Sequence, residues 1–317
     1  MCFLRNGEMI NCAIYHLTVP DRQYLISFLS NYQTSTAYCL FSAACCFCLG
    51  GCFTDVEGCL DLAATNFDVN ADKACMGCCE FPELTLAFQH RALPAYKPDT
   101  SFSFKYDTPY SVFPDTSHKF TVQRIRFFIS NFKLVKENGE EVGVLDSLEL
   151  EAPAGMNVVV EDNFAKVDRD IFQANKIGSF VTQGVFRKIR FTLGLAPELL
   201  NTDPESVPAG HPLSVEQDSI NFENGIGYIP LLIQLKKDVF PAAPSTKFKI
   251  FEPLQVDLKL QEPFEMKVGF NLAVSLQINY LAWFAGVDFV NDDDVQIQNK
   301  IAQNLEGSFS VIELKLN

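Results

Sequence analysis

Histidine is scarce in this chain, with 4 among 317 residues, so imidazole chemistry has few residues to draw on. No Gly-x-Ser-x-Gly elbow, His-Glu-x-x-His pair or phosphate-cradling glycine loop occurs. Serine hydrolysis, zinc proteolysis and nucleotide chemistry therefore lack sequence support, and the chain reads as a non-enzyme. Basic charge is short as well: 25 Lys+Arg against 39 Asp+Glu leave a net charge of −14. A field of that sign repels phosphate backbones, which argues against nucleic-acid partners while leaving cations attracted. Cysteine is missing from everything beyond Cys79, although the chain holds 11. That asymmetry divides the sequence into a leader (1–51), a small cross-linkable module (52–82) and a cysteine-free domain (83–317).

The leader carries one informative stretch, the apolar run Ala37–Cys52 ending in Leu49-Gly50-Gly51-Cys52. Small residues before a cysteine have the form of a bacterial lipobox, in which the thiol takes a diacylglycerol and the mature chain begins at Cys52. The apolar stretch is about 13 residues, short of the roughly 20 that span a bilayer as a helix. The expectation is an exported, lipid-anchored protein at the periplasmic or cell surface, with the membrane as partner through the anchor alone. One departure from a signal peptide is that the nearest upstream cation is Arg22.

In the module, Cys59, Cys75, Cys78 and Cys79 could form two disulfides in any of three pairings. A segment this short cannot bury a core, and cross-links in an oxidising compartment would supply the missing constraint. Cys75-x-x-Cys78 also has zinc-ligand spacing, but the paired CxxC…CxxC arrangement of structural zinc is absent. Asp68-x-Asn70-x-Asp72 sets three oxygen side chains on alternate residues, as a short calcium loop does. It lacks the glycine and the distant glutamate of an EF-hand, and a loop held by its own Asx turns uses the same residues. The stretch resembles a short Cys/Asp-rich module at the start of many secreted bacterial proteins, which implies a spacer.

From Glu83 onward the hydrophobic period is two, the signature of strands with one buried face. Leu254, Val256, Leu258 and Leu260 share one parity; Phe264, Met266, Val268, Phe270, Leu272, Val274, Leu276, Ile278 and Tyr280 share the next. With Glu262-Pro263 as a break, the two runs predict a long antiparallel hairpin. Further strands are expected at Leu84–Phe88, Ser101–Tyr106, Phe120–Val135, Val142–Glu149, Val185–Leu195, Tyr228–Lys236 and Lys247–Phe251. Asn138-Gly139 marks a tight turn between two of them. One C-terminal helix is expected, capped at Asp292–Asp294, with Ile297, Ile301 and Leu305 on one face and Gly307 as its stop. The fold class is all-β, an antiparallel sandwich with long loops at Ala196–Asn221 and Pro241–Ser245, where function is usually carried.

Several segments together resemble the MbnP-like copper-protein family: Phe120–Val135 with Asn138-Gly139, Phe88-Gln89-His90, Phe186–Gly194, His211-Pro212-Leu213-Ser214, Gly227-Tyr228 and Lys300–Phe309. The resemblance covers nearly all of Leu84–Leu314. It implies copper bound by histidines on a sandwich, in some members through an oxidised tryptophan made by a partner dihaem enzyme. Carried over, His90 and His211 stand where the family has histidine, with His118 as a third candidate. Where a tryptophan is expected before Gly-Tyr, this chain has Ile220-Asn221-Phe222-Glu223; Phe251 replaces a frequent histidine, and Asp288–Asp294 holds none. Two functions follow: copper binding through these imidazoles, or metal-free recognition of a ligand or protein by the long loops.

Overall fold

The computed structural model describes residues 55–97, 99–171, 173–214 and 221–317, together with Leu4–Arg5 and Glu8–Met9. The apolar run Ala37–Cys52, with its expected lipidation site Cys52, lies outside the described residues.

Two sheets form the body. The larger has the order β9 (Ser245–Ile250), β8 (Leu231–Lys236), β2 (Phe120–Lys136), β7 (Gly184–Leu193), β10 (Leu254–Met266), with β5 (Ala165–Asp168), Pro109–Tyr110 and Glu141–Val142 also paired to β2. The smaller runs β6 (Asn175–Ser179), β1 (Glu83–Ala92), β11 (Leu272–Asn279), β12 (Phe309–Leu316). All pairings named are antiparallel except β1 with β11, so the smaller sheet is mixed. A hairpin of β3 (Ser147–Ala152) and β4 (Met156–Glu161) stands apart. The all-β expectation holds.

The main core lies between the sheets. Leu84 and Leu86 of β1, and Val274, Leu276 and Ile278 of β11, meet Phe127, Ile129, Ile189, Phe191 and Ile233 from the larger sheet. A second cluster, including Phe128, Leu150, Phe164, Leu199, Leu213 and Tyr228, covers the opposite face of β2. β2 is thus buried on both faces around Phe127-Phe128-Ile129, where three apolar residues follow one another instead of alternating.

Parity along β2 reveals two bulges. Phe120 and Val122 face the main core, then Ile125, Phe127 and Ile129, then Phe132 and Leu134. Each switch from even to odd or back requires one extra residue, because side chains alternate strictly along a strand. The registers agree: β2 gains a residue against β8 between Val122 and Arg124, and against β7 between Ser130 and Lys133.

The expected hairpin of the two longest alternating runs does not form. β10 continues through Pro263 to Met266 and the chain then crosses to the other sheet, where β11 pairs with β1 and β12. Pro263 is tolerated because β10 is the edge of its sheet and its register with β7 slips between Lys259 and Phe264. Alternation says which face is buried; it does not say which neighbour completes the ladder. The Ser101–Tyr106 strand shrinks to Phe102–Ser103, and Val142–Glu149 divides between Glu141–Val142 and β3. Tyr280, expected to end a strand, instead begins a four-residue helix, α1 (Tyr280–Trp283).

The turn at Asn138-Gly139 is present, with Gly139 at φ 86. α2 (Asp294–Asn304) starts at Asp293, whose carboxylate accepts from the Gln296 N–H while Gln296 reaches back to the Asp293 N–H. That capping box satisfies two donors the helix cannot. In the module, Cys59–Cys79 and Cys75–Cys78 are the disulfides.

Candidate functional site

The extra residue of the second bulge in β2 leaves Asn131 at φ 52, in the left-handed region that a non-glycine residue rarely visits. Its N–H cannot reach a neighbouring strand; the Asn163 Oδ1 accepts it at 2.8 Å. Asn163 is 2% exposed and its Nδ2 donates to Glu161 Oε2 at 3.0 Å. Lys133 Nζ bonds both oxygens of Glu161 at 2.5 Å. A chain of side chains therefore holds the segment 161–164 over the bulge.

Between them opens a cavity of about 380 Å³. Phe164, Val160, Leu199 and Pro253 supply apolar wall; Asn131, Thr192, Glu161 and Glu198 supply polar groups. The roof is the start of the long loop after β7. Tyr228 clamps that loop: its N–H donates to the Leu200 carbonyl at 2.7 Å and its hydroxyl to the Leu213 carbonyl at 2.5 Å. Gly227 is required beside it, since a Cβ there would lie 2.0 Å from the Leu200 oxygen. The clamp gives a physical reason for the Gly227-Tyr228 pair.

The three candidate histidines are placed in separate surroundings. His90, on β1, shares a 2.8 Å hydrogen bond with Tyr280 through Nδ1 and stacks on its ring. Burial, reinforced by the Arg169 charge, lowers its pKa to about 4, so the ring is neutral at physiological pH. His118 donates Nε2–H to the Lys237 carbonyl at 2.6 Å. His211 donates Nε2–H to Asp162 Oδ1 at 2.9 Å, while its Nδ1 accepts from the Leu213 N–H at 3.1 Å. A neutral imidazole has one donor and one acceptor, and both are used here, so His211 presents no lone pair to a metal in this arrangement. Among the described residues, the cluster of three or more metal-ligating side chains is Cys75, Cys78 and Cys79; the imidazoles do not join in one. The three imidazoles are thus held by different protein partners: Tyr280, the Lys237 carbonyl and Asp162. The single tryptophan, Trp283, is fully buried and donates to Ser308 Oγ at 2.6 Å.

In the module, Asp68 Oδ1 accepts from the Asn70 N–H at 2.9 Å, an Asx turn, and Asn70 and Asp72 are exposed. Of the acidic loop, Asp288 binds the N–H groups of Val290 and Asn291, and Asp292 holds Lys300 at 2.6 Å. Sequence reasoning missed Asn131, Asn163 and Glu161. The one signal available was the parity break within Phe120–Val135, where the core-facing alternation shifts by one position as an inserted residue requires.

Fold and cavity together define an all-β sandwich with a ligand-sized pocket on its outer face, under a loop. The chain belongs to the MbnP family, whose match spans residues 82–301. A solved structure, MbnP from Methylosinus trichosporium, is similar at 11% identity and a TM-score of 0.35, covering 68% of this chain and 86% of that one. No curated protein matches the chain.

Proposed function

We propose that this protein is an exported, lipid-tethered member of the MbnP family that recognises a small polar ligand in the pocket at the Asn131 bulge. Its histidines serve as structural hydrogen-bonding residues. One observation carries the reading: a non-glycine residue is held at φ 52 at the floor of a cavity of about 380 Å³. Asparagine tolerates this region better than other non-glycine residues, so what ties Asn131 to a site is its place at a bulge that lines the cavity. Bulges likewise recur beside functional sites, where they re-aim a side chain. An apolar wall with a few convergent polar groups is the usual composition of a small-molecule site. Here Pro253 and Val160 offer apolar surface and Asn131, Thr192 and Glu198 offer hydrogen bonds, which suits a hydroxyl-bearing ring such as the end of a glycan.

Membership in a family whose proteins are generally exported supports the destination, and the Leu49-Gly50-Gly51-Cys52 sequence supports the tether. Two arms test the reading. Calorimetric titration of Cu(II) into the oxidised chain should give the same isotherm for the wild type and for His90→Ala/His211→Ala. A saccharide panel read by thermal shift should yield ligands whose stabilisation is lost in Glu198→Ala. Histidine-dependent copper uptake would sink the proposal and restore the copper reading; a panel without a Glu198-dependent ligand would remove the glycan.

A further inference from the structure

We propose that the Cys75–Cys78 pair is a reducible clasp which, once opened, holds one soft monovalent cation such as Cu(I) between its two thiolates. The two disulfides of the module differ in two respects that bear on reduction, loop length and access to the sulfurs. Cys59–Cys79 closes a sequence separation of 20 and one of its partners, Cys59, is 2% exposed. Cys75–Cys78 closes a separation of 3, with Cys78 exposed and Cys75 half-buried. A loop that short constrains the unfolded chain least, so opening it costs little stability. Thiol attack also needs access to a sulfur, and the exposed pair provides it.

The opened pair would remain in place. The Cys75 N–H donates to the Gly58 carbonyl at 3.0 Å, and the Cys78 carbonyl accepts from Asn66 Nδ2 at 2.7 Å. Gly77, at φ 72, turns the chain between them. The next residue, Cys79, is tethered through Cys59. The ligand atoms of Cys75, Cys78 and Cys79 already lie within 4.8 Å of one another. Two thiolates with a third sulfur locked in a disulfide do not make the tetrahedral set that Zn²⁺ requires. Soft thiolates in low number select Cu(I).

The chemistry balances with a small-molecule thiol as reductant. Two thiols and the Cys75–Cys78 bond give two protein thiols and one small-molecule disulfide. Cu(I) then displaces one proton from each sulfur, leaving a dithiolate complex of net charge −1. Oxidation of the pair would expel the metal, so the clasp couples binding to redox state.

The test uses the full chain and its Cys75→Ser/Cys78→Ser variant, both treated with glutathione and then offered Cu(I) as its bicinchoninate complex. Leader cysteines are common to both, so the difference reports the clasp. Reduced wild type should take one Cu(I) per chain more than the variant, and oxidised wild type none more. Thiol labelling with peptide mapping should find Cys59–Cys79 intact after the same treatment. Equal uptake by the reduced wild type and the variant would overturn the proposal, as would opening of Cys59–Cys79 at the same thiol concentration or preferential retention of Zn²⁺.

Discussion

His90 is neutral because burial and the Arg169 charge both penalise its protonated form, and that makes stability depend on pH with a definite sign. Its folded pKa of about 4 lies below the ordinary histidine value of 6.5. The unfolded chain therefore binds the proton more readily, so the contribution is complete above pH 6.5 and is lost as pH falls towards 4. The full shift corresponds to at most ~3 kcal/mol. Denaturant melts of wild type and His90→Gln should run parallel above pH 6.5 and converge below it; parallel curves throughout would refute the assignment. Asn163 is a second residue whose role is decided by one atom. Removing its Oδ1 orphans the Asn131 N–H, so Asn163→Ala should cost about 1–3 kcal/mol. Asn131→Gly, which relieves the positive φ, should be neutral or stabilising. A stable Asn163→Ala variant in thermal melts would show that the bulge is held by something else. Neither Asn131 nor Asn163 is marked by its residue type, and the bulge shows in the sequence only as a break in parity.

Among the elements, the loop after β7 depends on a contact that admits only glycine. Gly227 combines φ 91 with the 2.0 Å approach of a Cβ to the Leu200 oxygen. Gly227→Ala should therefore displace the loop, remove both Tyr228 hydrogen bonds to it and cost more than the about 1 kcal/mol expected of Tyr228→Phe alone. Limited proteolysis within 196–214 and thermal melts read the two effects; a Gly227→Ala variant as protease-resistant as wild type would refute the clamp. α2 was legible in the sequence because its signals are local: an aspartate cap within Asp292–Asp294 and Ile297, Ile301 and Leu305 on one face, while the Gln296 half of the capping box is a finding of the structure. β2 was legible in extent but not in form. Its ends follow from polar residues and Asn138-Gly139, whereas its two bulges answer to β8 and β7, which lie far off in sequence. The β10–β11 hairpin failed for the same reason: matching alternation in adjacent segments is compatible with one sheet or with two.

For the whole molecule, the separation of cysteine-rich module and cysteine-free sandwich predicts separable stabilities. The main core contains no cysteine, so reductant should leave the sandwich melting midpoint within about 1 °C of the oxidised value, ΔΔG being close to zero. Loss of the main transition in reductant would show that the module supports the sandwich. The proposed tether predicts a second behaviour. One acyl chain anchors weakly and two or more anchor stably, so Cys52→Ser should move the protein to the soluble fraction. Intact mass of the membrane-extracted chain should show a diacylated Cys52 at the N-terminus; a chain that retains Ala37–Gly51 would refute it.

The sequence by itself determined the all-β class, the core-facing parity of Leu272–Tyr280, the capped helix and the MbnP resemblance, since each rests on period, on residues a few positions apart or on the order of short segments along the chain. It also singled out Cys59, Cys75, Cys78 and Cys79 as the cross-linking residues while leaving three pairings open. Only the tertiary structure decided the pairing, the crossing of Met266 to the second sheet, and the scattering of His90, His118 and His211. Those depend on which distant strands lie side by side and on which protein atoms occupy each imidazole nitrogen. The pocket belongs to the same category: its floor is an unpaired residue of β2, its wall is Phe164 and its roof is Leu199, brought together by packing against a face of the sheet that alternation alone would have left open to water.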